Sequence, residues 1–185
     1  MRSGAGNCPA FFMTKDKQIG ILGVGNLLLG DEGFGVHAVR RLRECYQFPD
    51  NIEIMDGGTS GIMLAPFIES KDVLFVIDVV NLAEKPGTIH VYENKDVRAG
   101  NIQTRMSPHQ VGLLEILDLC RLRGNAPEWL EMITVVPADL STHIGLSPEL
   151  AQVVDPVIDA LLQKLARYEI QVVLKESTDT GQGLA

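Results

Sequence analysis

Residues 19–36 read IGILGVGNLLLGDEGFGV. An apolar run enters a glycine-rich turn, passes two adjacent acids and then takes up helical spacing, which predicts the first strand, loop and helix of an α/β domain. Ligands of open α/β sheets bind where loops leave the carboxyl ends of the strands. The turn therefore brings two carboxylates, those of Asp31 and Glu32, to the ligand-binding edge of the predicted sheet.

The glycine-rich turn matches neither of the nucleotide-binding motifs that it approaches. A dinucleotide fingerprint needs a third glycine where this chain has Leu28. Residues Gly25–Gly30 have the spacing of a phosphate loop, but Asp31 and Glu32 replace the lysine and serine that should follow. Two carboxylates repel phosphate, so the turn is directed toward a cation. The alternative is that these acids only favour the start of the following helix.

The composition predicts one globular domain with an acidic surface. The chain has 185 residues, of which 45% are hydrophobic and 22% charged, enough for a core without disulfides or structural metals. We expect the domain to span residues 17–170, with a loose extension at 1–16 and a disordered polar tail at 175–185. The net charge of −8 argues against nucleic-acid binding and against an anionic membrane surface as partner.

Cysteine usage and hydropathy indicate a reduced, cytoplasmic protein. Cys8, Cys45 and Cys120 lie far apart and form no C-x-x-C pair, so neither a disulfide framework nor a zinc knuckle is indicated. No apolar run approaches the ~20 residues that span a bilayer. The amino terminus also lacks the basic flank and apolar segment of a signal peptide.

Apolar periodicity predicts alternating strands and helices. One helix is expected at 34–46, and the arginines of this helix are expected on its solvated face. Two further helices are expected to begin at Ser107 and Ser147, where capping and proline signals mark the starts. Pro156 should kink the last of them. The predicted fold is a three-layer α/β domain, a twisted, mostly parallel sheet of about five strands flanked by helices on both faces. Strands are predicted at 18–24, 51–55, 73–77, 88–92 and 132–136, with a short run at 170–174.

Three residues on separate predicted elements form a candidate metal site. Glu32 lies on the first loop, Asp78 follows the third strand, and His109 lies in the first turn of a helix. Two carboxylates and an imidazole on rigid elements suit a divalent metal and leave coordination positions open. Each residue alone could be a cap or a surface group. Acids crowded at one sheet edge, however, repel one another unless a cation compensates.

Other polar residues fit a catalytic role less well. Asp56, at the end of the second predicted strand, could be a general acid or base or simply a turn residue before two glycines. His37 and His90 fit structural or exposed positions, and His143 lies in a loop at an undefined distance. No G-x-S-x-G elbow is present, and Ser60 has no evident base, so a serine hydrolase is disfavoured.

Five motifs in order carry a resemblance to a known family. The stretches GVGNLLLGDEGFGV, DGGTSG, VIDVV, SPHQVGL and HIGLSP resemble those of the hydrogenase maturation endopeptidases, over about residues 19–167. By resemblance, Glu32, Asp78 and His109 match the family's metal-binding positions, and Asp56 matches an acidic position associated with activity. The resemblance also implies a twisted, mostly parallel sheet between helices.

The resemblance implies a specific reaction. Such enzymes, hydrolases of aspartic or metal-dependent type, remove a short C-terminal extension from the large-subunit precursor of nickel–iron hydrogenases after nickel insertion, with the bound nickel as the recognition handle. We expect Glu32, Asp78 and His109 to bind the precursor's nickel, and Asp56 or Asp31 to handle protons. A monomer that meets its partner transiently is expected. The alternatives are a non-catalytic nickel-binding maturation chaperone and a disfavoured dinucleotide-dependent oxidoreductase.

Overall fold

A computed structural model describes residues 17–94, 96, 108–167 and 169–175. The expectations for residues 1–16 and 176–185 lie outside the described residues. The described strands are β1 (Ile19–Val24), β2 (Tyr46–Gln47), β3 (Ile52–Gly58), β4 (Val73–Val79), β5 (Ile89–Glu93), β6 (Trp129–Val135) and β7 (Val173–Leu174). The described α-helices are α1 (Phe34–Cys45), α2 (Ala65–Glu69), α3 (Pro108–Leu122), α4 (Pro148–Ala151) and α5 (Val154–Arg167), with 3-10 turns at Gly30–Gly33 and Gly61–Leu64.

The central sheet has the strand order β3-β1-β4-β6-β5. Strands β1, β3, β4 and β6 run parallel, and β5 lies antiparallel to β6 at the edge. Every residue of β1 and β4 is buried, as expected for strands covered on both faces. Because the chain leaves β1 first toward β3 and later returns to β4 on the other side, β1 and β4 flank a topological switch point.

Helices cover both faces of the sheet, which confirms the predicted three-layer fold. One core cluster joins the sheet to α1 and α5, and the other joins it to α2 and α3. Alternate residues of β1, β4 and β6 enter opposite clusters. In β4, for example, Phe75 and Ile77 pack toward α1, whereas Leu74 and Val76 pack toward α3. None of the helices in the described ranges is long and apolar enough to cross a membrane.

The carboxyl-terminal elements differ from the prediction in two ways. The single kinked helix is instead two helices, because Pro156 has no N–H to bond the preceding turn; it is tolerated in the first turn of α5. The strand predicted at 170–174 is limited to β7, which pairs with β2 in a separate two-stranded sheet. The second difference lies after the end of α1, away from the carboxyl edge of the main sheet.

Candidate active site

Glu32 lies in the 3-10 turn that connects β1 to α1. The turn is tightly packed, since Glu32 is only 4% exposed and Asp31 is fully buried. Gly25 has a φ of +141°, and a Cβ there would lie 1.9 Å from the carbonyl oxygen of Glu32. Only glycine lets the chain leave β1 in this conformation so close to the turn. The glycine-rich loop therefore serves to bring the Glu32 backbone against the end of β1.

A second close approach brings this turn to β4. A Cβ at Gly35 would lie 2.1 Å from the carbonyl oxygen of Ile77 and 2.4 Å from that of Val24. The start of α1 therefore rests on the ends of both β1 and β4. Asp78 follows Ile77 directly and is fully buried, and its Oδ1 accepts the Val79 N–H at 2.7 Å. Glu32 and Asp78 thus lie on the two elements that flank the switch point.

His109 belongs to the same edge and face of the sheet as Asp78. By strand alternation Asp78 faces α3, as Leu74 and Val76 do. The end of α3 lies at the opposite, amino edge, where Arg123 Nη1 is 3.2 Å from Glu69 Oε1. The helix is about 22 Å long, so its first turn reaches the carboxyl edge, where α3 contacts the 3-10 turn Gly61–Leu64.

The structure therefore brings the backbone positions of all three predicted ligands to one edge. The side chain of His109 lies outside the described part of the structure. Among the side chains that are described, no three His, Cys, Asp or Glu residues form a metal-binding group. The assignment of Glu32, Asp78 and His109 as metal ligands therefore stays a prediction.

Asp56 lies on the other face of the sheet. It falls inside β3, which extends to Gly58 rather than ending at Met55 as predicted, and it pairs with Gly23 of β1. Its Oδ2 accepts from Arg40 Nε at 2.9 Å and lies 2.8 Å from Arg40 Nη2. Asp56 therefore faces α1, whereas Asp78 faces α3 two strands away. Arg40 was predicted on a solvated face, and no local pattern indicates its partner.

His37 lies beside this ion pair on α1. Its Nε2 is buried with no hydrogen-bond partner among the described residues. Burial lowers the pKa of His37, the positive charge of Arg40 lowers it further, and Asp56 partly opposes the shift. The imidazole is therefore biased toward its neutral form.

Asp31 was predicted as a proton-handling acid, and its carboxylate is in contact with a distant loop. Oδ2 accepts the N–H groups of Ala138 and Asp139, at 2.8 and 2.9 Å, and Oδ1 accepts that of Ser147 at 2.7 Å. These donors lie 107 to 116 positions away in the sequence. Sequence reasoning missed this connection, because nothing near Asp31 in the chain indicates which loop it meets.

His143, in a loop, and His90, in a strand, have different surroundings. His143 lies beside the Glu32 turn, since its carbonyl accepts the Gly30 N–H at 2.9 Å and its ring packs on Gly30. Its Nδ1 is 3.1 Å from the carbonyl oxygen of Ser141. His90 of β5 pairs in register with Thr134, and its Nε2 lies 3.0 Å from Glu84 Oε2. His143 is therefore closer to the candidate site than the sequence alone indicates.

Comparisons with known proteins agree on one family. The family model HycI, hydrogenase maturation protease, matches residues 36–164. The hydrogenase 2 maturation protease of Escherichia coli K12 is 35% identical over 158 residues, which cover 85% of this chain and 96% of that protein. The hydrogenase expression/formation protein HoxM of Azotobacter vinelandii is 40% identical over 158 residues, covering 84% and 76%. The solved structure of the hydrogenase maturating endopeptidase HybD from E. coli gives a TM-score of 0.80 at 34% identity, covering 85% of this chain and 98% of that one.

Proposed function

Because the chain belongs to the hydrogenase maturation protease family, we propose that it removes a C-terminal extension from the large-subunit precursor of a nickel–iron hydrogenase once nickel has been inserted. The observation that carries the proposal is the pair of buried acids, Glu32 and Asp78, on the elements that flank the switch point. A divalent cation bound between two carboxylates at one sheet edge would be stabilised by both charges. The precursor's nickel is a cation that arrives only with the correct substrate.

The chemistry of the three side chains suits this substrate. Carboxylate oxygens and an imidazole nitrogen bind borderline divalent metals. Glu32, Asp78 and His109 would hold the nickel that the precursor's cysteines already ligate, and so fix the scissile bond relative to the enzyme. Bound there, the metal supplies polarisation of a carbonyl or activation of a water. The protein's own contribution is to orient the ligands on rigid elements.

We propose that an acid near this edge transfers protons in the reaction. The contacts of the two candidates favour Asp56 over Asp31 for this role. The Asp56 side chain is 24% exposed and is oriented by Arg40, so a substrate can reach it. Asp31 is fully buried and both of its oxygens accept backbone N–H groups. Asp56 faces α1 while Asp78 faces α3, so the precursor chain would cross the carboxyl edge of the sheet to meet both.

Mass spectrometry of the precursor tests the proposal. A cognate large-subunit precursor, loaded with nickel or free of it, is incubated with the protein, and loss of a C-terminal peptide only from the loaded form is expected. His109→Ala should abolish processing, whereas Glu115→Ala, at an exposed position on the same helix, should process normally. A folded His109→Ala variant with full activity would remove the ligand assignment. Cleavage regardless of nickel would keep the peptidase and reject the recognition handle.

The same experiment distinguishes the non-catalytic alternative. A nickel-binding chaperone would use the same three residues, bind the loaded precursor and leave its C-terminus intact. We further propose that the protein acts in the cytoplasm, for which its separated cysteines argue, and as a monomer, because the net charge of −8 opposes self-association. Sedimentation of the free protein as a single 20.2 kDa species is expected.

A further inference from the structure

Asp31 connects both ends of one long loop to the site. The loop, residues 136–147, runs from the end of β6 to the start of α4. Ala138 and Asp139, near its beginning, donate their N–H groups to Oδ2, and Ser147, at its end, donates to Oδ1. A single carboxylate therefore closes the 136–147 loop against the turn that carries Glu32.

Backbone contacts reinforce the same junction. The Asp31 N–H donates to the carbonyl of Asp139 at 3.0 Å, and the Gly30 N–H donates to that of His143 at 2.9 Å. At Gly30, where φ is +54°, a Cβ would lie 2.2 Å from His143 Cε1. The 136–147 loop is therefore seated directly on the residues that precede Glu32, and it presents Ile144, 82% exposed, to solvent.

The charge on Asp31 is balanced by backbone amides. No Lys, Arg or His side chain among the described residues forms an ion pair with it. Hydrogen bonds from neutral donors to a carboxylate are about twice as strong as those between neutral groups. The fully buried Asp31 carboxylate accepts three such hydrogen bonds, and these contacts are suited to holding the backbone of the 136–147 loop in place.

We propose that Asp31 is a positioning residue, which fixes the 136–147 loop as one wall of the substrate cleft beside Glu32. The inference rests on the proposed function, because a precursor whose nickel binds Glu32 must lie against this loop. The competing hypothesis is that Asp31 carries a proton in the reaction. The two differ in what they predict for loop order, for KM and for the pH profile.

Asp31→Asn in the full-length protein separates the two hypotheses. Asparagine keeps the shape but turns one acceptor oxygen into a donor that faces N–H groups. We expect faster hydrogen exchange at the amides of Ala138, Asp139 and Ser147, measured without substrate. With nickel-loaded precursor, KM should rise on the order of tenfold, while the pH profile of kcat keeps its shape. Asp155→Asn, at an exposed ion pair, should change none of these.

The opposite pattern would overturn the proposal. A variant with protected loop amides, unchanged KM and a kcat profile that has lost one limb would identify Asp31 as a proton carrier. If wild-type protein fails to cleave a verified precursor, the proposed function fails, but loop exchange still reports whether Asp31 holds the loop.

A second pair of variants covers the case in which Asp31→Asn does not fold. Ser147 has a φ of −58°, which proline can adopt, and its side chain caps α4 by accepting the Leu150 N–H. Ser147→Ala removes the cap alone, whereas Ser147→Pro also removes the N–H that Asp31 binds. Faster loop exchange and a higher KM in the proline variant than in the alanine variant are expected. Equal values in the two variants would reject the positioning role.

Discussion

Asp56 Oδ2 lies 2.9 Å from Nε and 2.8 Å from Nη2 of Arg40. The contact joins the second-last turn of α1 to β3 and holds the Asp56 side chain at the carboxyl edge of the sheet. Arg40 is half exposed, so such an ion pair contributes little to stability. The main effect that we expect of the ion pair is to orient the Asp56 carboxylate, and this orientation should matter for activity.

Arg40→Ala should slow precursor processing with little loss of stability. Without the guanidinium, Asp56 samples other rotamers, and we expect kcat to fall about tenfold, in line with loss of a positioned acid–base group. The free energy of unfolding should change by less than about 1 kcal/mol. Arg41→Ala is the matched control, since Arg41 lies on the same helix and its Nε is 3.4 Å from the exposed Asp155. Normal processing by Arg40→Ala would argue against a role for Asp56.

Asp78→Asn and Glu32→Gln should remove the preference for nickel-loaded precursor. Both changes keep the side-chain shape but exchange a charged oxygen ligand for a neutral amide. We expect the affinity for loaded precursor to fall at least about tenfold, toward that for nickel-free precursor, as measured by calorimetry. Asp72→Asn, at a surface pair with Lys17, should keep the difference. A retained preference in both site variants would contradict the ligand assignment.

Gly35→Ala should destabilise the protein, and Gly112→Ala should stabilise it. The Cβ at residue 35 would lie 2.1 Å from a backbone oxygen of β4, and forcing α1 off the sheet should cost about 2–3 kcal/mol. Nothing lies within 4 Å of a Cβ at Gly112 in α3, so alanine there gains its helix propensity, about 1 kcal/mol. Urea unfolding measures the free energy of unfolding of both variants and of the wild-type protein. Equal stabilities would reject the close packing of α1 on β4.

Glu131 should make stability fall as pH rises from about 4.5. It is 3% exposed, and its Oε1 lies 2.6 Å from Lys164 Nζ. Burial raises the pKa of Glu131, and Lys164 only partly opposes this. The folded state therefore binds the proton more tightly than the unfolded state, so the contribution is present below the unfolded pKa and is lost as pH rises through the folded one.

Three variants check this pH dependence by urea unfolding between pH 4 and 7.5. Glu131→Gln should flatten the decline, whereas Glu115→Gln, at an exposed position, should leave it unchanged. Lys164→Met leaves a carboxylate buried without its cation and should cost about 3–5 kcal/mol at pH 7, and less near pH 4. If the stability of the Glu131→Gln variant still falls as pH rises, another titrating group causes the pH dependence.

Much of the fold could be predicted because its signals are local. The uninterrupted apolar run of β4 marks a strand buried on both faces, and it ends in the polar Asp78. The helix predicted at 34–46 is found at Phe34–Cys45. Parallel strands place their carboxyl ends together, so Glu32 and Asp78 could be assigned to one edge without coordinates.

Other features of the site could not be predicted because their signals are not local. Strand alternation in β3 places Asp56 beside Arg40 on α1, on the face opposite Asp78. That placement depends on where β3 ends, and the sequence marked its end three residues too early. Pro156 likewise predicted a break, but whether a helix kinks or restarts depends on the packing of the turn before it.

The sequence alone therefore determines an α/β domain in which two acids, and the helix that carries His109, belong to one edge of the sheet. It can do so because hydrophobic periodicity, turn glycines and helix caps are signals that span only a few residues. Only the tertiary structure decided which groups Asp31 contacts. Its three donors come from a loop more than 100 positions away, and a buried carboxylate takes its role from whichever groups compensate its charge. Such compensation is a property of the folded core, and no spacing in the sequence encodes it.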